Sequence, residues 1–237
     1  LLPIVSVGVL FGLEFLLTAE GLRFTSAAHM SIFLYTAPIF AALGLHFKLP
    51  EGRLSISQWG GIFLAFVGVI ISFMGPAQNP NPRSNTLMWL GDFMGIMGGM
   101  TWGMTTLVVR TSPLTDAPAT VTLFCQLAGA GLLLLTVAVL THQTSFHITP
   151  FVWADLGFQT LIISAFSYLI WFSLLRIYLA SRLGVLSFMT PLFGIAFGVM
   201  LLHETLTPAF LMGAALIMVG IMLVSGAALL KRKGTVS

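Results

Sequence analysis

Residues 34–44 read LYTAPIFAALG, an apolar run with Pro38 at its centre, and residues 187–198 read SFMTPLFGIAFG, with Pro191 in the same company. An interior proline removes one backbone donor and bends a helix, so a chain that builds this segment twice is repeating a structural unit. A shift of 153 residues carries Leu22 and Arg23 onto Leu175 and Arg176, Ala27 onto Ala180, Pro38 onto Pro191, Phe40 onto Phe193 and Glu51 onto Glu204. After one deletion the shift is 152, and Leu54 meets Leu206, Gly61 meets Gly213 and Phe66-Val67-Gly68 meets Met218-Val219-Gly220. Helix starts correspond as well: Ser55 with Gln58 reads as a capping box, and Thr207-Pro208 as an N-cap followed by an N1 proline. The order of matches marks a duplication.

Composition places the unit in a membrane. The chain is 57% hydrophobic and 7% charged over 237 residues, whereas soluble domains carry about 25% charged residues. Apolar runs of roughly 18–25 residues match a hydrocarbon core of ~30 Å crossed as helix. Eight are legible, at 1–19, 27–48, 57–75, 88–109, 119–140, 152–174, 183–202 and 208–230. Lipid leaves no water to satisfy the backbone, which predicts an all-α polytopic membrane protein.

The net charge of +3 reports orientation rather than nucleic-acid binding. With Lys231, Arg232 and Lys233 in the cytoplasm, Lys48, Arg53, Arg110, Arg176 and Arg182 fall on the same side, and only Arg23 and Arg83 fall outside. That bias follows the positive-inside rule and puts the carboxyl terminus in the cytoplasm of a bacterial inner membrane. Glu51 and Glu204 then lie on opposite faces, so the copies are inverted and each needs an odd number of spans. Residues 88–230 supply five and residues 1–75 three, joined by a linker at 76–87 and followed by a basic tail at 231–237. The expectation is eight helices present of ten, with two, on the order of 50–60 residues, missing upstream. Inverted repeats with bent helices are transporter architecture, substrate being held near the midplane.

Residues 167–220, SYLIWFSLLRIYLASRLGVLSFMTPLFGIAFGVMLLHETLTPAFLMGAALIMVG, carry a Leu-Arg pair before a small-residue turn, a mid-helix proline, a Glu-x-Leu connection and a glycine-rich last helix. Together with LRFTSAAHMSIFLYTAPIFAAL at 22–43 and GDFMGIMGGMTWGMTTLVVR at 91–110, they resemble EamA-type carriers of the drug/metabolite transporter superfamily. The resemblance covers essentially the whole chain. It implies ten helices in two inverted five-helix units, and export of amino acids, related metabolites or drugs.

Several residues are candidates for that work. Glu14, about 15 Å below the outer edge at ~1.5 Å per residue, must face a cavity, carry a proton or have a partner; it suits a proton relay or a cationic-substrate site, and its repeat counterpart is Ser167. Tyr35, Thr101, Trp102, Gln126, Tyr168 and Trp171 are polar-tipped groups within spans, able to line a substrate cavity or to bond a neighbouring helix. Pro38 and Pro191 are expected hinges. Gly91, Gly95, Gly99 and Gly103 recur every fourth residue and predict a close helix contact. Glu51, Glu204 and Asp92 are read as helix-terminal carboxylates favoured by the macrodipole. His29, His46, His142 and His147 sit near span ends or in a connection and read as solvated.

Two further classes remain open at this level: an intramembrane enzyme, and a non-transporting fragment lacking two helices. The enzyme would need clustered catalytic pairs at one depth, which the sparse Glu14, Asp92 and histidine set does not offer. HETLT at 203–207 lacks the second histidine of the zinc motif HExxH, and no Walker loop appears, so neither a metal nor another cofactor is expected. The expected partners are a small-molecule substrate and the lipid bilayer, with protons as the candidate coupling ion.

Overall fold

The computed structural model describes residues 1–74, 87–145, 149–167, 170 and 189–233, with only the backbone described at Glu51, 164–165 and 226–233. Every regular element among these residues is helical. In chain order they are α1 (Leu2–Gly21), α2 (Ala27–Leu34), α3 (Ala37–Lys48), α4 (Ile56–Phe73), α5 (Met88–Arg110), α6 (Ala119–Leu140), α7 (Pro150–Gly157), α8 (Met189–Leu202) and α9 (Pro208–Lys233). α7 continues as a π-helical stretch, Phe158–Phe166. The chain is a multi-pass membrane protein: α1, α2 with α3, α4, α6 and the Pro208–Ser225 part of α9 are each long and apolar enough to cross a bilayer. Bulky apolar side chains such as Phe63, Phe124, Leu132 and Leu201 are exposed, as lipid-facing surfaces require.

The described residues fall into two units, residues 1–135 with 190–237, and residues 136–189. The second contains α7, entered through the Thr149 hydroxyl, which accepts the Val152 N–H at 3.2 Å. The functional geometry described below belongs to the first unit.

Within that unit, α4 and α9 approach each other backbone to backbone, and glycine is the reason. A Cβ on Gly61 would lie 2.7 Å from the Gly220 carbonyl oxygen, and one on Gly68 would lie 2.6 Å from that of Gly213. Lipid tails give no hydrophobic drive for helix association, so backbone approach through small residues supplies the attraction. Gly61 and Gly213 are counterparts in the repeat, as are Gly68 and Gly220. The 152-residue shift of the sequence maps one contact onto the other. The starts of both helices are fixed by side chains: Ser55 and Gln58 make the capping box of α4, and Thr207 Oγ1 accepts the Phe210 N–H at 3.0 Å. Gln58 then donates from Nε2 to the Val224 carbonyl at 2.9 Å, fixing the antiparallel register.

Pro38 does not sit in the middle of a bent helix. It occupies the first turn of α3, and the helical ladder breaks at Tyr35 and Thr36. Without an N–H, Pro38 cannot bond the carbonyl four residues back. The Thr36 hydroxyl instead donates to the Phe33 carbonyl at 2.6 Å, and the Ile39 N–H to the Thr36 carbonyl at 2.9 Å. Pro191 is buried in the first turn of α8. The linker residues 76–86 and the candidates Tyr168 and Trp171 lie outside the described residues.

Gly213→Ala should lower the thermal midpoint of the purified protein in detergent, since its Cβ would meet the Gly68 carbonyl oxygen at 2.5 Å, an overpacking worth about 1–3 kcal/mol. Gly60→Ala, with nothing within 4 Å of the new Cβ, is the control and should leave the midpoint unchanged or slightly raised.

Candidate functional site

α5 is the helix around which the site is organised, because its chemistry changes along its length. On one face Gly91, Gly95, Gly99 and Gly103 let the broken span α2–α3 lie directly on the backbone. Gly91 meets Thr25 and the Gly21 carbonyl, Gly95 meets Phe33, Gly99 meets the carbonyls of Phe33 and Leu34 at the break, and Gly103 meets Ala37 and Phe40. Toward the carboxyl end of α5 Trp102, Thr105, Thr106, Val109 and Arg110 recur at helical spacing and line a pocket of about 220 Å³, completed by Phe11 of α1 and by Thr122 and Gln126 of α6. Glycine on α1 and α6 sets the width: Gly8 and Gly129 meet backbone to backbone, which draws the two helices together beside α5. The volume matches about seven waters at ~30 Å³ each, the size of one small metabolite. Its walls are aromatic at Phe11 and Trp102, hydroxylic at three threonines, and cationic at the exposed Arg110. No carboxylate is among them.

The expected cavity residues divide accordingly. Trp102 and Gln126 line the pocket, and Tyr35 is buried with its ring edge-on to Trp102 at 6.1 Å. Thr101 does not line it; that residue is buried and its hydroxyl donates to the Gly98 carbonyl at 2.8 Å. Glu14 is absent from the lining too. Its backbone carbonyl lies near Gly98, one turn from Trp102, and its Oε2 is buried with no hydrogen-bond partner among the described residues. Arg110, read from sequence as an orientation signal alone, is part of the wall. Thr105 and Thr106 carried a findable signal, since they follow Trp102 by one turn; Phe11 and Thr122, on other helices, carried none.

A second polar cluster lies at the other end of α5, and here the sequence reading needs correction. Asp92 does not cap its own helix. Its carboxylate accepts from the Thr25 hydroxyl and from His29 Nδ1, at 3.1 Å to each oxygen for the latter. His29 is not solvated: it is buried, and its ring stacks on Phe210 of α9 with centroids 3.8 Å apart. Glu204 serves a helix amino end, but of α2 rather than of the α9 that follows it. Its Oε1 accepts the Ala27 N–H at 2.7 Å and its Oε2 the Ala28 N–H at 3.0 Å. His46, likewise read as solvated, accepts the Leu54 N–H at 3.0 Å and sets the turn between α3 and α4.

The amino-acid sequence matches the family model described as the EamA-like transporter family over residues 1–74 and 89–226. Among curated proteins, it is 28% identical over 212 residues to a WAT1-related chloroplastic protein of Arabidopsis thaliana, covering 87% of this chain and 50% of that one. It is 24% identical over 217 residues to the uncharacterized transporter YoaV of Bacillus subtilis, covering 91% and 72%. It is 25% identical over 211 residues to a probable amino-acid metabolite efflux pump of Salmonella typhimurium, covering 84% and 68%. The chain thus spans half the length of the Arabidopsis relative. No solved structure matches.

His29→Ala leaves the Asp92 carboxylate buried with one partner fewer and should cost about 1–3 kcal/mol, read as a drop in the detergent melting midpoint. Glu20→Gln, which removes the exposed 2.8 Å pair with Arg23, should shift it by less than about 1 kcal/mol.

Proposed function

The chain belongs to the EamA-like transporter family, and from that premise we propose that it is a secondary transporter exporting a small metabolite, an amino acid or related compound, or a drug, by alternating access. The observation that carries the reading is the pocket at Trp102, Gln126 and Arg110, built between α5 and two helices long and apolar enough to cross a bilayer, α1 and α6, and placed beside a span that is broken rather than continuous. Aromatic walls suit an apolar body, and the threonines, Gln126 and Arg110 suit a polar or anionic head. A substrate with a carboxylate fits better than a bare cation, because the lining has no acid to pair with one. The name of the Salmonella relative points to the same class.

The proposed orientation puts the Arg110 end in the cytoplasm of a bacterial inner membrane. The contacts along the glycine face run from Thr25 against Gly91 to Gly44 against Leu107, so Lys48 and Arg110 share one end. The Gln58–Val224 bond brings the carboxyl end of α9, with its basic tail, to that same end. Glu204 meets the amino end of α2 while Glu51 follows the carboxyl end of α3, so these counterparts lie at opposite ends of one span. Together with the exchanging glycine contacts, this supports two inverted repeats, residues 1–75 and 88–230, with Pro38 and Pro191 as hinges. Glu14 is proposed to meet the transport path in another state of the cycle and to carry the coupling proton there.

Counterflow in proteoliposomes tests the reading. Labelled amino acids should exchange without chemical change, and Trp102→Ala and Gln126→Ala should each slow exchange about tenfold or more, the loss expected from a few kcal/mol of substrate contact. Glu14→Gln should slow exchange and flatten its pH dependence; transport and pH profile identical to the unmodified protein would retire the role of Glu14. Absence of exchange across amino acids, amines, nucleobases and cationic drugs would falsify the transport proposal itself.

A further inference from the structure

The pocket reaches the surface at the exposed Arg110 and its lining stops, toward the other end, at Trp102. Beyond it, at the amino end of α5, two buried carboxylates join that helix to α2 and α2 to the α8–α9 junction. Glu204 is aimed at α2 by an unusual backbone: His203 has φ 54°, a left-handed conformation uncommon outside glycine. Gly198 gives the carboxylate its seat, since a Cβ there would lie 2.5 Å from Oε2. Asp92, at 3% exposure, draws together Thr25, at 3%, and His29, at 6%. The histidine ring then stacks on Phe210. Three segments are tied in this way: the amino end of α2, the first turns of α5, and the α8–α9 junction.

We infer that Thr25, His29, Asp92 and Glu204 form a releasable closure at the end of the bundle remote from Arg110, the gate through which a molecule held in the pocket must leave. Each bond in the cluster joins a group that water can also satisfy, so opening exchanges protein partners for water and costs only the net difference between them, small beside the bond itself yet enough to hold the closed state. The α4–α9 contact has no such exchange: there, backbone approaches backbone across glycine, and separation leaves a void. The cluster therefore marks the end that opens, and the glycine contact marks the axis that stays. The inference rests on the transport reading for its purpose, but not for its test.

The test places a single thiol in the pocket, Thr106→Cys with Cys125→Ser, in the full chain in membrane vesicles of known sidedness, and labels it with a membrane-impermeant sulfonated methanethiosulfonate. The thiol should react from the Arg110 face and be nearly inert from the other. Asp92→Asn and Glu204→Gln should each raise reaction from the inert face, on the order of ten- to a hundredfold, the population shift that loss of a charged hydrogen bond allows. Thr25→Ser and Gly198→Ala serve as milder variants should either of the first two not accumulate; the first keeps a donor, and the second displaces the carboxylate without removing it. Reaction from both faces before any change to the cluster overturns the inference, and so does an unchanged sidedness in variants present at the reference level. Failure of counterflow with the expected labelling would remove the transport reading and leave the closure standing.

Discussion

The close approach of helix backbones across glycine is the constraint on which the rest of this molecule depends. In lipid, two apolar helices gain nothing from hiding apolar surface, so their association must come from dispersion and polar contacts at short range. Gly61, Gly68, Gly213 and Gly220 meet that demand between α4 and α9, and the α5 stripe meets it against α2 and α3. With the glycines of α5 given to packing, the turns toward its carboxyl end carry Trp102, Thr105, Thr106 and Arg110 around a pocket.

The break in the second span follows from the same packing. Pro38 leaves a carbonyl without its helical partner, a costly condition in lipid. It is tolerable because the unwound turn is buried on Gly99, where no side chain keeps α5 away, and because the Thr36 hydroxyl turns back on the Phe33 carbonyl. A broken span can change direction at two residues without unravelling either half, which is what a hinge requires.

Polar groups in this interior are few, and their placement is correspondingly informative. Asp92 and Glu204 each join segments far apart in sequence, across 63 and 177 positions in two of their contacts. Glu20 and Arg23, by contrast, pair within one turn at the surface, where such a pair contributes little. Buried carboxylates thus gather at one end of the bundle, while the pocket at the other has threonines and Arg110. The asymmetry sets the Asp92 end, closed by hydrogen bonds, against the Arg110 end, where the pocket meets the surface.

By itself, the sequence determined the membrane class, the bounds of the helical segments at 1–19, 27–48, 57–75, 88–109, 119–140 and 208–230 to within a few residues, the capping box at Ser55, the N-cap at Thr207 and the α5 glycine stripe. Each of these depends on neighbours within about two helical turns or on composition, and local chemistry is legible in one dimension. It read His29 as solvated, Asp92 and Glu204 as carboxylates serving their own helix approaches, Thr101 as available to the cavity and Arg110 as a topology signal only. Tertiary structure decided those four matters, because the partner of a buried polar group is chosen by which helix crosses it. The crossings are set by where glycine allows two backbones to meet, and the sequence gives the glycines without saying which pairs will touch.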